Sequence, residues 1–294
     1  MGACSRFIIR ALVGELTVQR RSPPYLPFLD GPPEFAPNLK PIPVSDWLLP
    51  DVEADASLPQ KRRLIADIGD RVCGGEIDGA AATEFLELVT IEHPGLIGAD
   101  DGAALTRVAL NVSDDICILQ RDQKVGEGVI QPWCLQAGIV CAPTYWTLTD
   151  RIGLNLAGLH EPVVTPDHVL AKRIDRVFSG LKVGTVLERF NWTVQASDER
   201  YAPARPSARD RTPLDLHLRV ERQTLRKMPM TEAVVFTIRI SLDPLLPILE
   251  KPEFRAALMR AWSDVSANVR AYKSWNEFDD LFWQACHMYP PLQP

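Results

Sequence analysis

The sequence predicts an α+β fold, an antiparallel five-stranded sheet carrying its helices on one side. Three observations lead there. Helical periodicity governs residues 58–91 and 253–288, and short β-rich runs fill 116–242 and end in one long hairpin. The 294 residues are 46% hydrophobic and 24% charged, a balance that builds a core and rules out disorder or a fibre.

Residues 22–50 hold nine of the 25 prolines, interleaved with Tyr25, Phe28, Phe35 and Trp47. Proline fixes φ and pushes its predecessor out of the helical region, so this segment is extended, and its aromatics need a surface to cover. Helices follow at 58–72 and 81–91, the second presenting Phe85, Leu86, Leu88 and Val89 on a broad face, with Gly74 and Gly75 between them. Runs at 116–120 and 135–141 read as paired strands, and 146–152 as a helical turn. Pro166 opens an amphipathic helix through Leu170, Ile174, Val177, Phe178 and Leu181, which Gly184 ends.

Residues 186–196 alternate as a strand that includes Arg189, Asn191 and Trp192. A polar connection at 199–213, with four Arg and three Pro, leads into the hairpin of 216–227 and 233–242. Residues 253–272 and 275–288 read as helices whose Trp262, Tyr272, Trp275, Phe278, Phe282 and Trp283 form a buried stripe. No internal repeat is present.

Charge and motifs narrow the function. The formal net charge is -6, so no global basic field invites nucleic acid, and small molecules or proteins are the expected partners. The apolar start Phe7-Ile8-Ile9 is cut by Arg10 and Glu15, Arg6 spoils a myristoylation signal, and no run reaches the roughly 18 residues of a membrane span. Six cysteines without a CxxC pair fit a reduced, cytoplasmic setting, with Cys117 and Cys141 as small buried hydrophobes. Phosphate-cradling glycine loops, the GxSxG elbow and HExxH are all missing, which removes the best support for nucleotide, nicotinamide and common hydrolase chemistry.

The hairpin is unusual because neither face of its first strand is apolar. Alternation puts Val220, Arg222, Thr224 and Arg226 on one side and Arg219, Glu221, Gln223 and Leu225 on the other. Cross-strand ion pairs on a solvated face would explain this, and so would a polar pocket for an acidic ligand. Arg239, inside the apolar run 234–238, favours the pocket, because it must find a partner or a ligand. Among five histidines, His160 alone ends an apolar stretch containing Gly153 and Gly158, surroundings that suit a neutral imidazole on a metal in a flat cofactor pocket.

Several motifs together resemble the heme-dependent oxidative N-demethylases. They include Tyr25 to Pro33, Asp46-Trp47-Leu48, Asp114 to Leu119, Ala137 to Pro143 with Trp146, and Leu159-His160-Glu161-Pro162-Val163. They continue through Arg189 to Trp192, Leu218 to Pro229 and Ala233 to Arg239. Residues 1–21 and those beyond about 245 are poorly covered, and Ser113-Asp114-Asp115 and Val163-Val164-Thr165-Pro166 depart from the family pattern.

The resemblance implies a PAS-like, heme-binding core at 111–245, preceded by an extension at 1–21 and a Pro-rich wrapping segment with helices at 22–110, and followed by helices at 246–294. It implies heme b with His160 as its iron ligand, oxygen activation, and oxidative N-demethylation of a small secondary amine such as dimethylamine, yielding formaldehyde. Electrons would come from reductase subunits with flavin and an iron-sulfur centre, and tetrahydrofolate could accept the formaldehyde. On this reading Arg222 and Arg226 pair with heme propionates, Glu221 and Arg239 serve the distal pocket, and Trp146 and Trp192 are wall and core. A different oxidation on the same scaffold, a PAS-type heme sensor and a heme-free scaffold subunit remain as alternatives.

Overall fold

A computed structural model describes residues 22–98, 101–121, 131–161, 169–205, 207 and 209–292. Among the described residues the sheet is antiparallel and has seven strands, two more than expected: β1 (Lys40–Ile42), β2 (Cys73–Gly75), β3 (Asp115–Arg121), β4 (Trp133–Ile139), β5 (Val186–Gln195), β6 (His217–Lys227) and β7 (Val234–Pro244). Their order is β1-β5-β6-β7-β3-β4-β2. The five expected strands form its centre, and three-residue strands cap both edges, too short to register as a periodicity. At one edge Gly75 has φ +74°, and a Cβ there would come within 1.9 Å of the Gln136 carbonyl oxygen, so only glycine fits.

Nine helices belong to the described residues: α1 (Ala54–Val72), α2 (Ala80–Glu92), α3 (Ala104–Ala109), α4 (Leu156–Leu159), α5 (Val169–Gly180), α6 (Leu245–Leu249), α7 (Pro252–Asp264), α8 (Ala267–Tyr272) and α9 (Trp275–His287). Pro166, expected to open α5, lies outside the described residues. The helix expected over 253–272 is two helices, because Val265 adopts extended backbone between them. No described helix is long and apolar enough to cross a membrane.

Helices cover both faces of the sheet, which corrects the one-sided arrangement. Strand β3 is apolar on both sides: Ile116 and Ile118 pack with α2 and α3, whereas Cys117 and Leu119 face α4 and α5. A register shift between Ile118 and Leu119 sets Ala137 opposite Ile118 but Leu135 opposite Leu119. Two residues of one parity on β4 therefore serve different layers.

At the far end α6 to α9 close a third core on Trp192, Val194, Leu218 and Val220. Trp262 stacks on Trp275 at 4.1 Å and on Phe282 at 4.0 Å, and the Trp275 indole donates to Thr193 Oγ1 at 2.9 Å. That aromatic stack ties the turn between α8 and α9 to strand β5.

The Pro-rich strap is fastened to the even-numbered face of β6. Phe28 packs edge-on against Trp192, and Trp47, fully buried, donates to Thr224 Oγ1 at 3.0 Å. Arg222 donates to the Trp47 carbonyl at 2.9 Å and the Asp46 carbonyl at 2.5 Å, and pairs with Glu188 at 2.5 Å. Arg226 lies over the Trp47 ring at 4.4 Å and grips Glu92 with both terminal nitrogens. Arg239 meets Asp114 on this same face, its Nε 3.0 Å from Oδ2.

The Arg239–Asp114 pair is 3% and 0% exposed, so removing one partner strands a buried charge. Asp114→Ala should lower unfolding free energy by about 3–5 kcal/mol in urea titration. The double variant Asp114→Leu with Arg239→Met should recover most of that loss; equal loss in both would mean the pair is not what stabilises this face.

Candidate functional site

The odd-numbered face of β6 borders a cavity of about 350 Å³. That volume falls within the range for small-ligand pockets. One part of its wall is apolar, supplied by Leu119 and Leu135 of the sheet, Leu156 and Leu159 of α4, and Ile174 and Phe178 of α5. A polar part comes from β5, β6, the loop after β4 and the turn after α8, and residues 34–37 of the Pro-rich strap also line the cavity.

His160 follows directly on α4 and lines this cavity. Its Nδ1 lies 2.8 Å from the Leu156 carbonyl. A carbonyl only accepts, so Nδ1 carries the proton and Nε2 keeps its lone pair. Burial lowers the pKa of the ring, and the Arg189 and Arg151 charges act in the same direction against the carbonyl hydrogen bond. A neutral imidazole with a free Nε2 and a fixed second nitrogen is the form in which histidine ligates a metal. Among the described residues no three His, Cys, Asp or Glu side chains gather as a metal site. A single neutral imidazole beside an apolar wall is a donor set that fits an iron whose other ligands come from a macrocycle.

Glu221 projects from the middle of β6 and is partly exposed, lining the cavity. It accepts from Thr144 Oγ1 at 2.5 Å, Asn191 Nδ2 at 3.1 Å and Gln223 Nε2 at 2.7 Å. Burial works to raise its pKa, but the Thr144 hydrogen bond and the charges of Arg219 and Lys273 overcome that and hold it below the usual range. It is an ionised carboxylate whose three direct donors are all neutral.

Arg219 is fully buried and spends its guanidinium on the frame. Its Nε donates to Thr144 Oγ1 at 2.9 Å, and its terminal nitrogens reach Gln195 Oε1 and the carbonyls of Ala142, Pro143 and Arg200. Asp115 clamps the same loop from β3 by accepting from the amides of Cys141 and Ala142, each at 2.8 Å. Burial pushes the Asp115 carboxyl up despite those bonds and the Lys61 charge. Beyond the clamp Tyr145, a cavity residue, sits at φ +64°, a conformation that costs energy in a non-glycine residue and collects at functional sites.

Arg189 and Lys273 are two of the cations that line the cavity without a direct ion pair among the described residues. Arg189 on β5 has a buried Nε with no hydrogen-bond partner among the described residues, and burial lowers its pKa against the pull of Glu221. Lys273 caps the C-terminus of α8 and is 8% exposed, and its Nζ donates to Asn191 Oδ1 at 3.0 Å. Burial brings its pKa down to about 8, opposed by Glu221 and assisted by Arg189.

Of the five residues expected at the site, His160 and Glu221 line the cavity and Arg222, Arg226 and Arg239 do not. The reason is strand parity: these three project from the opposite face, where each is held by a carboxylate. Trp146 and Trp192 both line the cavity, and Trp192 also belongs to the terminal core. Sequence reasoning missed Arg189, Asn191 and Lys273. Parity could have found the first two, since register sets Arg189 opposite Gln223 and Asn191 opposite Glu221.

The fold and site define an α+β protein with a half-apolar cavity, one poised imidazole and a polar corner of opposed charges. Residues 91–282, more than half of the chain, match the family model described as haem-dependent oxidative N-demethylase, alpha subunit-like. The chain belongs to that family.

Arg219 is the bond on which the polar corner depends, so Arg219→Met should cost several kcal/mol by leaving buried acceptors unpaired. Hydrogen exchange should then rise at Tyr145, whose amide donates to the Ala202 carbonyl. Unchanged exchange there would show that Asp115 alone holds the loop.

Proposed function

We propose that this chain is the heme-binding subunit of an oxidative N-demethylase acting on a small secondary amine. The observation that carries the reading is the neutral imidazole of His160, with Nδ1 tied to the Leu156 carbonyl, at the wall of a cavity in a chain of this family. His160 Nε2 would hold the iron of heme b, and the apolar side chains of α4 and α5 would lie against the porphyrin. Arg189 takes the propionate role expected of Arg222 and Arg226, since it lines the cavity, as they do not, and its Nε has no hydrogen-bond partner among the described residues. Heme bound there supplies the reduction of oxygen that oxidises the N-methyl carbon.

The residues of the chain do the rest. Glu221 receives the cationic amine, because an ionised carboxylate with only neutral donors has charge to spare. Gln223 and Asn191 hold its oxygens in place, and the leucines keep bulk water from the reacting carbon. The balance is one secondary N-methyl amine, one oxygen molecule, two electrons and two protons giving a primary amine, formaldehyde and water. The electrons come from a separate reductase with flavin and an iron-sulfur centre, and formaldehyde is released or passed to tetrahydrofolate.

Heme-loaded chain given a surrogate reductase, oxygen and an N-methyl amine should release formaldehyde in proportion to oxygen consumed. His160→Ala should strip heme or change its spectrum. Arg189→Leu should reduce heme retention on dilution at least about tenfold, the loss of one charged hydrogen bond, whereas Arg222→Leu should keep heme and lose stability. Protein that binds no heme points to a scaffold subunit; bound heme with no formaldehyde from a broad amine panel points to sensing or another oxidation.

A further inference from the structure

Lys273 has no part in the reaction above, yet it stands at the cavity wall beside the residue that receives the amine. Its Nζ donates to Asn191 Oδ1 at 3.0 Å, and the other end of that amide, Nδ2, donates to Glu221 Oε2 at 3.1 Å. All three side chains line the cavity. One amide thus separates a fixed positive group from a fixed negative one, and extended to its limit this chain spans about 8 Å. An α-amino acid donating from its ammonium at one end and accepting at its carboxylate at the other bridges about the same distance.

Resting on the amine reading above, we propose that the natural substrate is an N-methyl amino acid, its ammonium on Glu221 and its carboxylate on Lys273. The ammonium of Lys273 has three donors, and Asn191 accepts one of them. A simple cationic amine neutralises Glu221 and leaves Lys273 without a counter-charge in a site of low dielectric, whereas a zwitterion satisfies both charges and adds none. Two fixed charges of opposite sign across one amide are costly for a site that takes only an alkylamine.

The groups facing Lys273 are Glu221 of β6 and Arg189 of β5, and Asn191 supplies its hydrogen bond. With its pKa lowered to about 8, Lys273 is mostly charged at neutral pH and loses its proton as pH rises through that value. Carboxylate binding should therefore weaken above about pH 8, while the ligand's ammonium stays protonated.

The test compares N-methylglycine, its neutral carboxamide N-methylglycinamide, and dimethylamine by calorimetric titration of heme-loaded protein, without turnover. N-methylglycine should bind at least about tenfold tighter than the carboxamide at pH 7, the worth of one charged hydrogen bond. Lys273→Met should bring the two within twofold, weakening N-methylglycine and lifting the repulsion on the cationic carboxamide, while Lys273→Arg, which keeps the charge, should retain the preference. Equal affinity in the wild type, or a preference that survives Lys273→Met, overturns the proposal and leaves the amine reading standing if dimethylamine binds. Binding of none of the three overturns both.

Discussion

A strand with charge on both faces has to be satisfied on both, and β6 imposes that demand on the whole molecule. Its buried arginines at 219, 222 and 226 would each cost several kcal/mol if left without partners. The chain meets the requirement by bringing distant segments to them. Arg222 and Arg226 draw in the strap and the end of α2, and Arg219 draws in the loop after β4 and the segment at Arg200. Glu221, between them, is left to the cavity. The cavity is therefore a consequence of where the partners of β6 run out.

Much of this was legible from period-two alternation. The sequence already separates Arg222 and Arg226 from Glu221, and Arg239 inside an apolar run already asks for a partner. Locally the pattern cannot show which face meets a cavity, because that depends on which helices land where. Two β-faces both needed helices, and the register shift at Leu119 that sends Leu135 and Ala137 to different layers has no signature in composition. The partner of Arg239 is Asp114, a buried carboxylate directly before β3, so the need for a partner was legible but the pocket it favoured was not: its answer is a structural ion pair.

His160 lines the cavity because its local surroundings, apolar with two glycines, persist in three dimensions. Lys273 was invisible for the opposite reason. In sequence it falls between two aromatic-rich helical stretches, where a lysine reads as solvated. Its burial comes from Ser274, which takes left-handed backbone at φ +55°, and from the Trp262, Trp275 and Phe282 stack that draws α9 against β5. Only the tertiary turn puts Nζ beside Asn191.

The two faces of the sheet also divide the electrostatic labour. On the strap face every buried arginine meets a carboxylate or a carbonyl, so its charge is neutralised at fixed geometry and the face contributes rigidity. On the cavity face the pairing is looser: Glu221 meets neutral donors, Lys273 meets an amide, and Arg189 Nε, like Arg226 Nε on the strap face, has no hydrogen-bond partner among the described residues. Arg189 feels Glu221 and in turn depresses both His160 and Lys273, so the imidazole end and the charged corner share one field. A ligand carboxylate arriving at Arg189 would relax that field at both ends at once, favouring the charged form of Lys273. On the proposed reading, cofactor seating and recognition of a charged substrate would be coupled through a single guanidinium.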